Sequence, residues 1–404
     1  MNEINNKKLY QSIKIYPLFY GLTADLVFWI AINTLFLTTV KGLTPAQINS
    51  IEALGTGIGI VFQLFLIKIV RKIGNKNSVV FGTLLLFCSI LLNIISTKYI
   101  GFLFAESFYT IGFVFKHMDN VILIKNLNYL NSEDQYIKIQ TKGNMIYSFI
   151  TLIISLISGF LFNINPYIPI IICLIICFIN ILLTYFIYEV PIKEKFKKEE
   201  NKQLRFNVTI LLMILLYGLF YAMVCCGQKN SKLFIQLNMQ QFLSLDKVAI
   251  YISIFIFISR VCRLISNIGF IKIYNKIKSK TLFLLEFLLS FSFFLLLIGN
   301  FIGYNMYGIW IMAFGFFIYL LIRDPFDTYM RKTLFEISNE KEHDKIVNYI
   351  NLSRKIFTLI YGLLISIILI KMNYVIVMSL LLGLSISFII LITKINNMLK
   401  QNKQ

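Results

Sequence analysis

LFYGLTADLV, residues 18–27, returns 197 positions later as LLYGLFYAMV, residues 215–224. Tyr20-Gly21-Leu22 becomes Tyr217-Gly218-Leu219 and Val27 becomes Val224, but Ala222 stands where the first copy has Asp25. Both copies lie in apolar stretches long enough for a helix to cross a bilayer, which takes about 20 residues for a hydrocarbon core of about 30 Å. A membrane helix that is duplicated in frame but loses its one acid predicts two related halves with unequal chemistry.

Composition agrees. The chain has 404 residues, of which 58% are hydrophobic and 14% charged, with a mean hydropathy of +0.76. A soluble domain has about 45–50% apolar and about 25% charged residues. The net charge of +20 does not point to nucleic acid. With the amino terminus inside, most of the 39 Lys and Arg fall on cytoplasmic segments, the bias that orients membrane proteins. All six cysteines sit in or at the ends of apolar spans, which reads as membrane-core packing. Residues 1–15 are polar and basic, so no removable signal peptide is expected. No phosphate-binding glycine loop, zinc-binding His-Glu-x-x-His, Gly-x-Ser-x-Gly elbow or Cys/His cluster occurs. The expectation is a non-enzyme without cofactor or metal.

Hydropathy predicts twelve spans, near 16–39, 46–67, 77–96, 100–123, 143–163, 167–188, 207–227, 247–270, 281–300, 305–322, 347–370 and 374–393. Span 7 is expected to run on as helix into 227–246. An even count and basic ends place both termini in the cytoplasm. The charged stretch 189–206 divides a six-helix half, 1–188, from a second, 207–404. Further matches follow in order. LTPAQI (43–48) parallels LSLDKV (243–248), Asn75-Lys76 parallels Asn275-Lys276, Asp119 parallels Asp327, and Lys142 parallels Arg354. Their offsets grow steadily, as insertions in loops would make them.

Over its whole length the chain resembles the major facilitator superfamily. The resemblance rests on twelve spans, a 6+6 parallel repeat, a charged central linker and the approach to span 2, GLTPAQINSIEALGTGIG (42–59). It implies an all-α polytopic membrane protein of two pseudo-symmetric six-helix halves. Spans 1, 4, 7 and 10 would line a central cavity that opens alternately to either side. The chain departs from the family's motif between spans 2 and 3. In IKIVRKIGNK (67–76), Gly74 and the basic residues survive, but Ile67 replaces a Gly and Arg71 an Asp. Phe108 stands where the span 4 motif has an Arg, so no subfamily is assigned.

A charged side chain at mid-bilayer costs at least about 2.5–3.5 kcal/mol, so each such residue is a functional candidate. Asp25 lies about ten residues into span 1, about 15 Å deep. Trp29 and Asn33 follow it at helical spacing, and Asn230 fills the Asn33 slot of the second copy. Asp25 and Glu106 are candidate ion-coupling acids; the alternatives are an Asp25 that merely holds helix packing and a Glu106 at the outer edge that reaches water. Trp29, Asn33, Tyr217, Tyr221, Arg260 and Arg263 are candidates for lining a substrate cavity. The arginines equally suit snorkelling or a salt bridge, and the tyrosines suit packing. Lys116, Asp119, Arg323 and Asp327 sit at matched inner ends of spans 4 and 10, as an inner gate or as ordinary helix-end chemistry.

The expected activity is secondary active transport by alternating access of a small organic molecule across the cell membrane. Proton coupling and efflux of an amphipathic compound lead this reading, with a proton or other ion, the lipid bilayer and a small-molecule substrate as partners of a monomer. Uptake of an anionic or zwitterionic solute stays open, as does a non-transporting lipid handler or receptor on the same scaffold.

Overall fold

The computed structural model describes residues 3–132, 135–190, 208–338, 343–370 and 374–401. Most of the expected linker, from 191 on, lies outside the described residues. The described residues form helices and their connections, with no strand. The first eight helices are α1 (Glu3–Thr23), α2 (Trp29–Leu35), α3 (Pro45–Ile73), α4 (Asn75–Ile95), α5 (Tyr99–Lys116), α6 (Met118–Tyr129), α7 (Gln135–Ile164) and α8 (Ile168–Thr184). After the linker come α9 (Val208–Gln240), α10 (Leu245–Ile277), α11 (Thr281–Phe301), α12 (Met306–Glu336), α13 (His343–Leu369) and α14 (Tyr374–Gln401).

Ten of the twelve predicted spans fall on one helix each, and α9 runs on to Gln240 as expected. The other two are broken. Span 1 divides into α1 and α2, and α2 passes into a π-helical turn at Phe36–Val40. Span 4 divides at His117 into α5 and α6. Eight helical segments are long and apolar enough to cross a membrane, and Trp29–Val40 and Ile168–Thr184 are shorter apolar helices. Bulky apolar side chains such as Phe149, Ile268 and Ile390 point outward, the reverse of a water-soluble surface and suited to lipid.

The helices pack into two compact units. One comprises Met1–Phe36 and Leu54–Gln203, the other Leu37–Ala53 and Leu204–Gln404. Residues 37–53, with the first turns of α3, therefore group with the second unit rather than with the first predicted half.

The same helix pairs pack in both units. In the first, α4 lies against α5, α1 against α7, and α4 against α8. In the second, α11 lies against α12, α9 against α13, and α11 against α14. Numbered as spans, these are 3·4, 1·5 and 3·6, matched by 9·10, 7·11 and 9·12. The repeated Tyr-Gly-Leu frame marks the second of these contacts. A Cβ on Gly21 would lie 2.5 Å from Ile146 Cγ2 of α7, and one on Gly218 would lie 2.0 Å from Ser353 Oγ of α13. Each glycine lets its helix approach its neighbour more closely than any side chain would allow.

Helix starts also follow the repeat. Thr44 and Gln47 form a reciprocal capping box at the start of α3, each side chain accepting the other's backbone N–H at 2.9 and 3.3 Å. Ser244, its counterpart, precedes α10 in extended backbone but makes no cap bond. Gly74, at φ 83°, turns the chain from α3 into α4, a conformation that favours glycine. The N-terminus of α4 then meets the carboxylate of Glu189. It accepts from Lys76 N at 3.0 Å and from the Asn75 side chain, with Lys125 Nζ at 3.9 Å. An anion is favoured at that pole of the helix.

Candidate functional site

Asp25 lies in the break between α1 and α2. No proline or glycine causes that break. Thr23 turns its hydroxyl back onto Phe19 O at 2.7 Å, and Asp25 Oδ1 accepts the N–H of Leu26 at 2.8 Å. Such local bonds compete with the helical ladder. The freed carbonyl of Leu22 is met from outside the helix by Asn180 Nδ2 of α8 at 3.2 Å. Tyr109 of α5 donates its hydroxyl to Asp25 Oδ1 at 3.0 Å. The break and its acid are therefore held by groups from three elements.

A small cavity opens beside it, lined by Leu22, Thr23, Leu26, Thr83, Leu86, Cys177, Asn180 and Asp25 itself. The carboxylate, two hydroxyls and an amide give this pocket hydrogen-bonding oxygens within an otherwise apolar wall. Glu106 sits one turn before Tyr109 on α5, where its side chain fills the space left by Gly55 of α3. Thr110 Oγ1 bonds Gly55 O at 3.0 Å and closes that crossing. Tyr109, one aromatic residue among many in the sequence, thus bonds one candidate acid and follows the other by one turn of α5.

The expected stripe of Asp25, Trp29 and Asn33 presupposes a continuous helix, and the break resets its register. Trp29 is buried, edge-on to Phe36 at 6.1 Å, and Phe36 is edge-on to Tyr167 at 5.3 Å. Asn33 Oδ1 accepts the N–H of Thr34 at 2.8 Å.

The pair Lys116 and Asp119 spans the kink at His117. Their side chains are completely buried and 3.0 Å apart. Lys116 Nζ also lies over the rings of Tyr20 and Phe19, at 4.9 and 5.7 Å, tying span 4 to span 1.

In the second unit the candidate residues lie on α9, α10 and α12. The ring of Tyr217 stacks on those of Tyr221 and Phe326, with centroids 5.6 and 5.7 Å away. Its hydroxyl donates to Asp327, which also pairs with Arg331 Nε at 2.7 Å. Arg263 Nε meets Asp324 Oδ2 at 2.6 Å, Asn267 adds a bond at 3.1 Å, and Arg323 approaches the other oxygen at 3.4 Å. Asp324, Arg331 and Arg354 join the candidates only through this packing. In sequence they look like the charged end of any membrane helix. Arg260 acts electrostatically on Lys232 of α9, as does Glu52, which pairs with Lys229 at 2.7 Å within this unit. Asn230 bonds Asn49 in both directions, at 3.0 and 3.2 Å.

Among the described residues no group of three or more His, Cys, Asp and Glu side chains converges. No protein-family model matches the chain, and no curated protein matches it in sequence. Solved structures do. A point mutant of the nucleoside transporter NupG superposes with a TM-score of 0.74 at 10% identity, covering 96% of this chain and 99% of that one. A bacterial homologue of the iron transporter ferroportin, in its inward-facing state, gives 0.70 at 12%, covering 98% and 100%. A bacterial homologue of the lysosomal transporter Spinster gives 0.57 at 11%, covering 99% and 98%. Full-length coverage, the duplicated helix pairs and the two six-span halves lead to one conclusion: the chain has the fold of the major facilitator superfamily.

Proposed function

We propose that the protein is a secondary active transporter that works by alternating access and exports a small amphipathic organic solute. Asp25 carries the coupling proton or other cation, with Glu106 as the second acid of the relay through Tyr109. The observation behind this reading is the break in span 1, which holds one carboxylate at mid-span beside a small, mainly apolar cavity. A charged group at that depth is costly and is retained where it serves an ion or substrate path. Structural neighbours that are a nucleoside transporter and bacterial homologues of the transporters ferroportin and Spinster favour transport over a receptor or lipid-handling role. The halves 1–188 and 207–404 are the moving bodies, joined by the 189–206 linker, with Lys116, Asp119, Arg323 and Asp327 at the inner gate. Trp29, Asn33, Tyr217, Tyr221, Arg260 and Arg263 face the cargo. The chain is a monomer in the cytoplasmic membrane with both termini inside.

The test is proton flux in proteoliposomes loaded with a pH-sensitive dye, challenged with aromatic amines and aromatic carboxylates. Wild type is expected to move protons in response to at least one compound, and Asp25→Asn to lose that coupling. Coupling that survives Asp25→Asn removes the acid from the mechanism. Uptake of an anionic solute is the second reading, favoured by the basic side chains of the second unit. Comparing right-side-out with inverted vesicles separates it from export.

A further inference from the structure

The second unit contains five described arginines: Arg260, Arg263, Arg323, Arg331 and Arg354. Three of them pair with carboxylates. Arg263 holds Asp324, and Arg331 holds Asp327, which Tyr217 also engages. Arg323 approaches the second oxygen of Asp324, a carboxylate Arg263 already occupies.

Arg354 differs. It lies near the inner start of span 11, with its guanidinium carbon 5.1 Å from the ring centroid of Tyr221. Among the described residues no carboxylate comes within ion-pairing distance of it. Asp327 acts on it only at longer range. Arg323 and Arg354 both act electrostatically on Tyr221 and Cys225, which sit one turn apart on α9. Three helices thus bring two partly buried guanidinium groups towards one aromatic face.

A desolvated guanidinium is expensive unless its charge and donors are met. Its five N–H groups form a planar fork that matches a carboxylate or phosphate in bidentate fashion. Beside it, Tyr221 offers an aromatic surface, backed by the stacked and fully buried ring of Tyr217 at 16° from parallel. Asp327 holds Tyr217 by its hydroxyl and so orients that surface. An anion seated on the guanidinium groups would lay any planar body attached to it against this surface.

We propose that Arg354, with Arg323 and the ring of Tyr221, is the seat for an anionic group of the cargo, a carboxylate or phosphate borne on a planar apolar body. The proposal rests on the transport reading for the word cargo. It shifts the anionic contact from Arg260 and Arg263 of span 8 to Arg354 of span 11.

The test is a ligand titration of the full-length protein in lipid nanodiscs, following its thermal unfolding midpoint. The probes are benzoate, phenyl phosphate, inorganic phosphate and, as the matched cation, benzylamine. Benzoate and phenyl phosphate are expected to raise the midpoint saturably, and benzylamine to leave it unchanged. Arg354→Gln should raise the half-saturating concentration of both anions about tenfold or more, the worth of one charge-assisted hydrogen bond. Tyr221→Leu should weaken benzoate and leave inorganic phosphate as in wild type. Should Arg354→Gln fail to fold, Arg323→Gln and Tyr221→Leu decide the matter on the same readout. No response to any anion, an unchanged titration in the arginine variants, or an equal response to benzylamine overturns the seat. Binding needs no gradient. Saturable, Arg354-dependent binding without flux in proteoliposomes therefore defeats the transport reading alone, while flux that ignores Arg354→Gln defeats the seat alone.

Discussion

Spans 1 and 7 begin from the same ten-residue frame and end as different objects. Both pass a glycine at the same helix crossing, Gly21 against α7 and Gly218 against α13. Two residues past the glycine they diverge. Span 1 has Thr23 and then Asp25, which bond Phe19 O and Leu26 N, and the helix stops. Span 7 has Phe220 and Ala222, both fully buried and without competing hydrogen-bond groups, and its helix of 33 residues runs on unbroken to Gln240. A duplicated scaffold thus separates two tasks. Glycine and apolar residues preserve the packing of each half, and two polar residues break the helix of one half at an acid.

The matched ends of spans 4 and 10 offer the sharpest way to break the comparison. Asp119→Leu should cost about 3–5 kcal/mol of unfolding free energy, because it strands Lys116 as an unpaired buried charge. Adding Lys116→Met should restore most of that loss. The half-exposed pair of Asp327 and Arg331 is the control, expected to contribute at most about 1 kcal/mol. Denaturant titration in mixed micelles measures all of these. Equal costs at the two ends would show that burial does not distinguish them.

Transplanting the acid comes next. Ala222→Asp puts a carboxyl into the continuous helix of span 7, where it should cost about 2.5–3.5 kcal/mol. Helix content by circular dichroism should fall if the aspartate alone is enough to break the helix. An unchanged spectrum would show that Thr23 and Asn180 are required as well.

The glycines should differ in degree. Gly218→Ala presses within 2.9 Å of the backbone carbon of Ser353, whereas Gly21→Ala meets mainly the side chain of Ile146. Overpacking costs about 1–3 kcal/mol, and the larger share belongs to Gly218 because backbone cannot rotate away. Thermal midpoints of the two variants settle the order. The smallest effect is at the caps. Thr44→Ala should cost about 1 kcal/mol and Ser244→Ala clearly less, since only Thr44 makes the bonds.

Much of this is legible in the chain because membrane helices announce themselves one at a time. The twelve spans, the run-on of span 7 and the start of α3 at the capping box follow from local residue types. The candidate acids are visible too, since a lone Asp in an apolar run stands out. Their surroundings are not. Tyr109, Asn180 and Thr83 are common residues on other helices, and nothing local marks them as neighbours of Asp25. The same holds for the second unit, where Arg263 and Asp324 are 61 positions apart yet bonded.

The amino-acid order by itself determined a duplicated, twelve-span membrane protein. Those properties depend on hydropathy, charge placement and repeat, each of which acts over one helix length. Only the tertiary structure decided where the helices stop and which charges are paired. A helix break needs partners for its freed carbonyls, and Asn180 supplies one from 158 residues away. A guanidinium needs a carboxylate within reach, and packing provides one for Arg263 and Arg331 but places Arg354 over a tyrosine ring.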